Sequence, residues 1–395
     1  MSAGWTHKRH PVTPAEALGP AGTPRRVVRP VAVHACCGRI TPGPSAVPVH
    51  DCTQSVHAPQ RFKRLISIGG ILMARVIRMH DYGGPSVLRV ETSDTGEPGP
   101  GQVLLRQYAI GVNAVDAIMR EGQFGTPLPA VLGVEGAGVI QSVGPGVKRH
   151  SPGDRVGYFF SMGAYSTERL IAAESLIPIP EDIGTDQAAA FLAKGLTAWM
   201  GIRALHHVRP GEVILVQGAS GGVGSILSRW AKDMGATVIG VAGSKEKSPQ
   251  VRAGSDHALH AADPDFLGAV REVAANGVDV VYDLVGQATA ELSAQAVRDG
   301  GTIVTIGAAS GPPRHYASLQ GKRGIRLVGG STPQYVDPST DHKTISELFA
   351  AIRGGLFNDL KISRYAFEEA RQAHEDLKQR KLSGLPILKE VNQPV

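Results

Sequence analysis

The stretch Glu212-Val213-Ile214-Leu215-Val216-Gln217-Gly218-Ala219-Ser220-Gly221-Gly222-Val223-Gly224 decides how this chain folds. Its first six residues are an apolar run of the kind that becomes a strand buried on both faces. A glycine-rich loop follows at once. Beyond it Ile226, Leu227, Trp230, Ala231 and Met234 recur at helical spacing until Gly235 stops the helix. Residues 237–242 are then a second apolar strand. The order strand, glycine loop, helix, strand is the setting that gives a glycine motif its meaning.

In such a unit the glycines let the chain turn sharply and let a pyrophosphate approach the backbone, while free N–H groups at the helix start attract its charge. Against the Gly-x-Gly-x-x-Gly fingerprint, Ala219 takes the first position and Gly221 and Gly224 the others. Ala219, Ser220, Gly221, Gly222, Val223 and Gly224 are therefore the candidate phosphate contacts. The rival reading, a glycine turn without a ligand, does not explain the full strand–loop–helix–strand order. Cofactor identity is read roughly 20 residues further on, where an NAD enzyme places an acid for the ribose hydroxyls. Here the strand ends in Gly243-Ser244-Lys245-Glu246-Lys247. A hydroxyl and an ammonium suit a 2′-phosphate better than a carboxylate would, so Gly243, Ser244 and Lys247 point to NADPH, although Glu246 blurs the charge argument. Residues 278–285 and 301–306 are further apolar strands with small residues past their ends. Gln287, Gly307 and Ala308 are thus candidate neighbours of the nicotinamide half. The fold class is α/β, with a Rossmann-type doubly wound parallel sheet over residues 194–324.

Charge and cysteine divide the chain in two. Residues 1–72 carry nine Lys/Arg and two acids, which leaves 41 − 9 = 32 basic and 35 − 2 = 33 acidic residues in the remainder. The body is nearly neutral, so the basic pI supports no nucleic-acid surface there. Cys36, Cys37 and Cys52 are the only cysteines, and residues 73–395 have none. That excludes disulfides and Cys-ligated zinc from the body and suits a reducing cytosol. No apolar run is long enough to span a membrane. The first 72 residues, with nine prolines and no sustained period, read as a disordered leader, as a poor transit peptide, or as sequence upstream of a true start at Met73. Cys36-Cys37 with His34 and His50 lacks recognised zinc spacing.

From residue 73 onward, short strands alternate with glycine turns: residues 74–79 and 87–91, 102–109, 132–139 and 153–156. They predict a compact, mostly β domain over 73–193. Residues 109–116 read Ala-Ile-Gly-Val-Asn-Ala-Val-Asp, and residues 133–135 read Gly-Val-Glu. With the loop Ala219-Ser220-Gly221-Gly222-Val223-Gly224 and with Lys194-Gly195-Leu196-Thr197, these resemble the zinc-free branch of the medium-chain dehydrogenase/reductase superfamily, the quinone oxidoreductases (ζ-crystallin-like proteins). The zinc-dependent branch has Gly-His-Glu where this chain has Val134, and valine cannot bind a metal.

The resemblance implies a GroES-like catalytic domain over 73–193 completed by 325–395, NADPH as cofactor, and a quinone or enone as substrate. It suggests a homodimer. It puts Asn113 and Asp116 near the nicotinamide, Lys194 and Thr197 at the entry to the cofactor domain, and Ser244 and Lys247 on the phosphate. Asn113 and Asp116 read equally as a helix cap, and Lys194 as a solvated helix lysine. Ile118 and Phe124 stand where relatives often have tyrosine, and Ala261 where they often have Tyr or His near the adenosine. Tyr165 is either a proton donor or a packed tyrosine, so no catalytic acid is assigned. The favoured activity is NADPH-dependent quinone reduction without metal. The alternatives are reduction of an activated C=C bond and a low-turnover, NADPH-binding structural or RNA-associated protein.

Overall fold

A computed structural model describes residues 73–313, 316, 323–382 and 384–390. The readings made of residues 1–72 lie outside them. The first part of the described chain is mostly strand: β1 (Met73–Met79), β2 (Arg89–Asp94), β3 (Gln102–Gly111), α1 (Ala114–Arg120), β4 (Ala130–Val131), β5 (Glu135–Val143), β6 (Arg155–Tyr158), β7 (Glu168–Ala172) and β8 (Ile177–Pro178). Strand β2 starts later than the pattern from residue 87 suggests, because Pro85 opens a short 3-10 turn over Pro85–Val87.

Helix α2 (Thr185–Trp199) leads into the parallel unit: β9 (Val213–Gln217), α3 (Gly222–Asp233), β10 (Thr237–Ala242), α4 (Ser248–Gly254), β11 (His257–His260), α5 (Phe266–Val273), β12 (Val278–Asp283), α6 (Ala290–Ala296), β13 (Val297–Thr305) and β14 (Arg326–Gly329). The chain closes with α7 (His342–Arg353), β15 (Ile362–Ala366), α8 (Ala370–Lys378) and β16 (Leu385–Lys389). Among the described residues, no helix is long and apolar enough to cross a membrane.

Strand β1 lies between β2 and β4 in one small antiparallel sheet. A larger sheet runs β15-β16-β3-β5-β6-β8, with β7 also on β3. The closing segment therefore returns to the first lobe, where β16 pairs with β3. The parallel sheet has the order β11-β10-β9-β12-β13-β14. The chain leaves β9 towards β10 on one side and returns to β12 on the other, so a crevice opens at the carboxyl ends of β9 and β12, the usual ligand position in such sheets.

Two expected boundaries move. Helix α2 runs unbroken through the 193/194 junction. Strand β14 pairs in parallel with β13 from Thr302↔Arg326 to Thr305↔Gly329, so the sheet extends past residue 324. Main-chain pairing outweighs the weak apolar signal of Arg326-Leu327-Val328-Gly329.

The core explains the layering. Strand β9 buries Ile214, Leu215, Val216 and Gln217, and α3 lays Ile226, Leu227 and Trp230 against it. Burying side chains such as Ile226 and Leu227 contributes about 1.5–3 kcal/mol each. Helix α2 buries ten consecutive or near-consecutive positions from Ala188 to Ala198 and packs on β3, β5, β6, α3 and α7. It is the element shared by both lobes.

Candidate functional site

The glycine loop turns because Gly218 has φ +76, where a Cβ would stand 3.1 Å from Val285 Cγ2. The loops after β9 and β12 are thus in contact. Ala219 N donates to Val241 O at 3.1 Å and ties the loop to β10. Gly221 caps α3, and the amides of Gly222, Val223 and Gly224 in its first turn have no intrahelical acceptor by geometry. Gly221 is exposed, while Ser220, Gly222 and Val223 are half-buried. The helix start is open to an anion, with the dipole favouring it. At Gly224 a Cβ would overlap the Gly218 carbonyl oxygen. Gly224→Ala is therefore expected to displace the loop, on an overpacking cost of about 1–3 kcal/mol, and to weaken dinucleotide binding about fivefold or more. Isothermal titration calorimetry, with circular dichroism to confirm the fold, measures it.

A buried ionic group stands where the two lobes meet. Asn113 is the N-cap of α1, and its backbone N–H donates to Asp116 Oδ2 at 2.8 Å. Its amide Nδ2 donates to Glu135 Oε2 at 3.0 Å. Lys194 Nζ donates to the same oxygen at 3.0 Å, and Ala193 N reaches Glu135 Oε1 at 2.6 Å. Glu135 is fully buried and Lys194 is 5% exposed, so this is a desolvated ion pair and not a solvated helix lysine. A Cβ at Gly222 would stand 3.1 Å from Lys194 Cδ, which puts the lysine stem against the start of α3. Asp116 is fully buried, and burial raises its carboxyl to about 7. Thr197 donates to Ala193 O at 2.6 Å and lies 2.8 Å from Thr332 Oγ1, joining α2 to the chain that follows β14.

The outer end of the site lies past β10. Gly243 is exposed, and a Cβ there would be 3.5 Å from Arg380 Nη1. Burial and the neighbouring Arg380 both hold the Lys247 ammonium below its usual range. Among the described residues neither cation is in an ion pair. Two neighbouring cations outside any ion pair would favour an anion with two or more charges. The nearby Ser244 hydroxyl holds the Glu246 carboxyl below its usual range.

Past β12 and β13, Asp283 shapes the backbone. It is fully buried, and its Oδ1 accepts Val285 N, Gly286 N and Thr289 Oγ1, each at 2.9 Å. Tyr316 donates to its Oδ2 at 2.5 Å. Gln287 N donates to Gly311 O at 2.9 Å, and Gly307 packs so closely on Leu284 that a Cβ would overlap the Leu284 carbonyl. Ala308 is exposed beside them. The two loops are clamped into one wall beside the crevice.

Sequence reasoning singled out Lys247 but missed Arg380, which comes from the far end of the chain. It quoted Glu135 only as part of a motif, and Asp283 only as part of a strand. An acid immediately after the missing histidine, and an Asp ending a buried strand, were the available signals.

The description "Alcohol dehydrogenase GroES-like domain" fits a family model matching residues 99–181, and "Zinc-binding dehydrogenase" one matching residues 222–350. Quinone oxidoreductase from Pseudomonas aeruginosa is 37% identical over 326 residues, spanning 80% of this chain and 99% of that protein. The chain belongs to the quinone oxidoreductase family of medium-chain dehydrogenases/reductases. Its two lobes are the GroES-like and Rossmann-like domains of that family. A 2-haloacrylate reductase from a Burkholderia species is likewise 37% identical, over 334 residues, with 80% of this chain and 99% of that protein covered. The crystal structure of Escherichia coli quinone oxidoreductase complexed with NADPH has a TM-score of 0.76 at 32% identity, covering 80% of this chain and 99% of that one. In this family member, the residues at the Gly-His-Glu position do not fit zinc. Val134 has no donor atom, and both oxygens of Glu135 are already occupied by Ala193, Asn113 and Lys194.

Proposed function

We propose that this chain is an NADPH-dependent reductase of quinones that works without zinc where its two lobes meet. The observation that carries the reading is the unpaired Lys247–Arg380 pair beside Gly243, at the strand end where an NADH enzyme would place an acid. The NADPH complex of the Escherichia coli relative supports it. The first-turn amides of α3 would hold the pyrophosphate. Lys247 and Arg380 would hold the 2′-phosphate, and the wall built on Asp283 would line the nicotinamide half. Ser244, Gln287 and Ala308 would complete the binding surface at the carboxyl ends of these strands.

When bound, the nicotinamide supplies a hydride. A quinone that took up that hydride together with one proton would leave as a hydroquinone. The protein's share is orientation and exclusion of water. Lys194 and Asn113 fix Glu135, and this keeps the junction between the lobes packed. No metal step is needed, since Val134 and a body without cysteine offer no ligand set. The same absence of thiols supports a cytosolic setting.

A second reading, reduction of an activated C=C bond, is favoured by the equally similar 2-haloacrylate reductase. NADPH oxidation followed against a quinone panel and an enone/acrylate panel separates the two. Faster turnover with quinones, unchanged by a chelator, is expected. Turnover only with the acrylates would select the second reading. Tight NADPH binding with no oxidation by either panel would contradict both.

A further inference from the structure

Arg120, His374, Tyr165 and Asp116 form a buried line of hydrogen bonds drawn from α1, α8 and the segment before β7. Arg120 Nη1 lies 2.7 Å from His374 Nδ1, His374 Nε2 lies 2.8 Å from the Tyr165 hydroxyl, and that hydroxyl lies 3.2 Å from Asp116 Oδ2. All four side chains are fully buried. The guanidinium can only donate, so His374 accepts at Nδ1 and carries its proton at Nε2. Nε2–H then donates to Tyr165, and Tyr165 donates to Asp116. Burial and Arg120 hold His374 down to about 3, and burial holds Tyr165 well above its usual range. Arg120 cannot give up its proton. The line is therefore no proton wire. It is a fixed array of donors aimed at one carboxylate.

Asp116 is the member left able to change charge near neutrality. Its Oδ1 is buried with no partner. The charged or titratable groups around it are Lys194 on α2, Glu135 on β5, Tyr158 on β6, Tyr165 and, behind that, His374 and Arg120. With Asp116 ionised, the inner group of Asp116, Glu135 and Lys194 carries one excess negative charge. Lys194 lies against the start of α3, where an anion would sit.

We propose that Tyr165 and His374 are positioning residues that govern the proton occupancy of Asp116, and that Asp116 takes up a proton when an anionic dinucleotide seats beside Lys194. The proposal rests on the NADPH reading above. Linkage makes the effect reciprocal: protonation of Asp116 tightens dinucleotide binding by the same factor.

Calorimetry of NADPH binding to the full chain, in buffers of differing ionisation heat, counts the protons taken up. Wild type should take up a fraction of a proton, at most about one, peaking near neutral pH. Asp116→Asn should lose that component. The 2′-phosphate's own ionisation, at about 6 for a phosphomonoester, is common to both proteins. Tyr165→Phe removes a donor to the charged carboxylate, so the midpoint of the uptake curve should move to higher pH. His374→Gln can still accept from Arg120 and donate to Tyr165 and should stay near wild type. A merely structural role would lower affinity without moving the midpoint. Equal uptake by wild type and Asp116→Asn, or an unmoved midpoint in Tyr165→Phe, overturns the proposal while leaving the cofactor reading intact. Failure of NADPH to bind at any pH overturns both.

Discussion

Lys247→Ala combined with Arg380→Ala weakens NADPH binding by about a hundredfold and leaves NADH binding within about twofold, on roughly tenfold per charge-assisted contact after solvent screening. The two dinucleotides differ only in the 2′-phosphate, so the ratio of their affinities isolates this end of the site. Burial and then Arg380 depress the Lys247 ammonium, and each cation raises the cost of the other until an anion arrives. The two substitutions are therefore coupled. Removing either cation also relieves that repulsion, so each single variant loses less than half of the double variant's effect in free-energy terms. Raising ionic strength should narrow the gap between wild type and variant, because Arg380 is exposed. An NADPH:NADH ratio unchanged in the double variant would contradict the assignment of this end to the phosphate.

Glu135→Ala is expected to cost about 3–5 kcal/mol of stability, the usual penalty for stranding one member of a buried ion pair. Three donors lose their acceptor at once: Lys194 Nζ, Asn113 Nδ2 and Ala193 N. For a folded unit of this size that is a fall of about 6 °C in Tm, provided the unit unfolds as one. The loss is one of charge left in a dry place, so adding Lys194→Met to Glu135→Ala should recover part of it. Differential scanning calorimetry of the two single variants and the double closes the cycle. If the double variant were less stable than Glu135→Ala alone, the pair would not be the source of the cost.

The parallel unit was legible because its signal is local. Strand β9, the loop and α3 are contiguous, and their apolar spacing is that of the element each becomes. The parallel, doubly wound class of the sheet followed from the same alternation of apolar strands with helices, whereas the order of its strands did not. What was hidden is what arrives from elsewhere in the chain. Arg380 follows α8 in a left-handed conformation, with φ +56, and nothing in Gln379-Arg380-Lys381 separates it from an ordinary solvated basic turn. It comes against Gly243 only through the return of the chain to β16. His374 is similar: a histidine on a polar helix becomes a buried acceptor because α8 packs near α1. Asp116 had two readings in the sequence, a cap and a cleft residue. The cap is present, and it leaves Oδ1 buried without a partner. Strand β14 was lost because Arg326 and Gly329 dilute an apolar pair that only pairing with β13 makes into a strand.

Hydride transfer from NADPH to a quinone can be followed in a single turnover by stopped flow. Protein loaded with one equivalent of NADPH is mixed with excess quinone, with hydrogen or deuterium at the transferring nicotinamide carbon. The account predicts loss of one NADPH per hydroquinone formed, slower with deuterium. Persistence of the NADPH signal on mixing, with NADPH bound throughout, would contradict it.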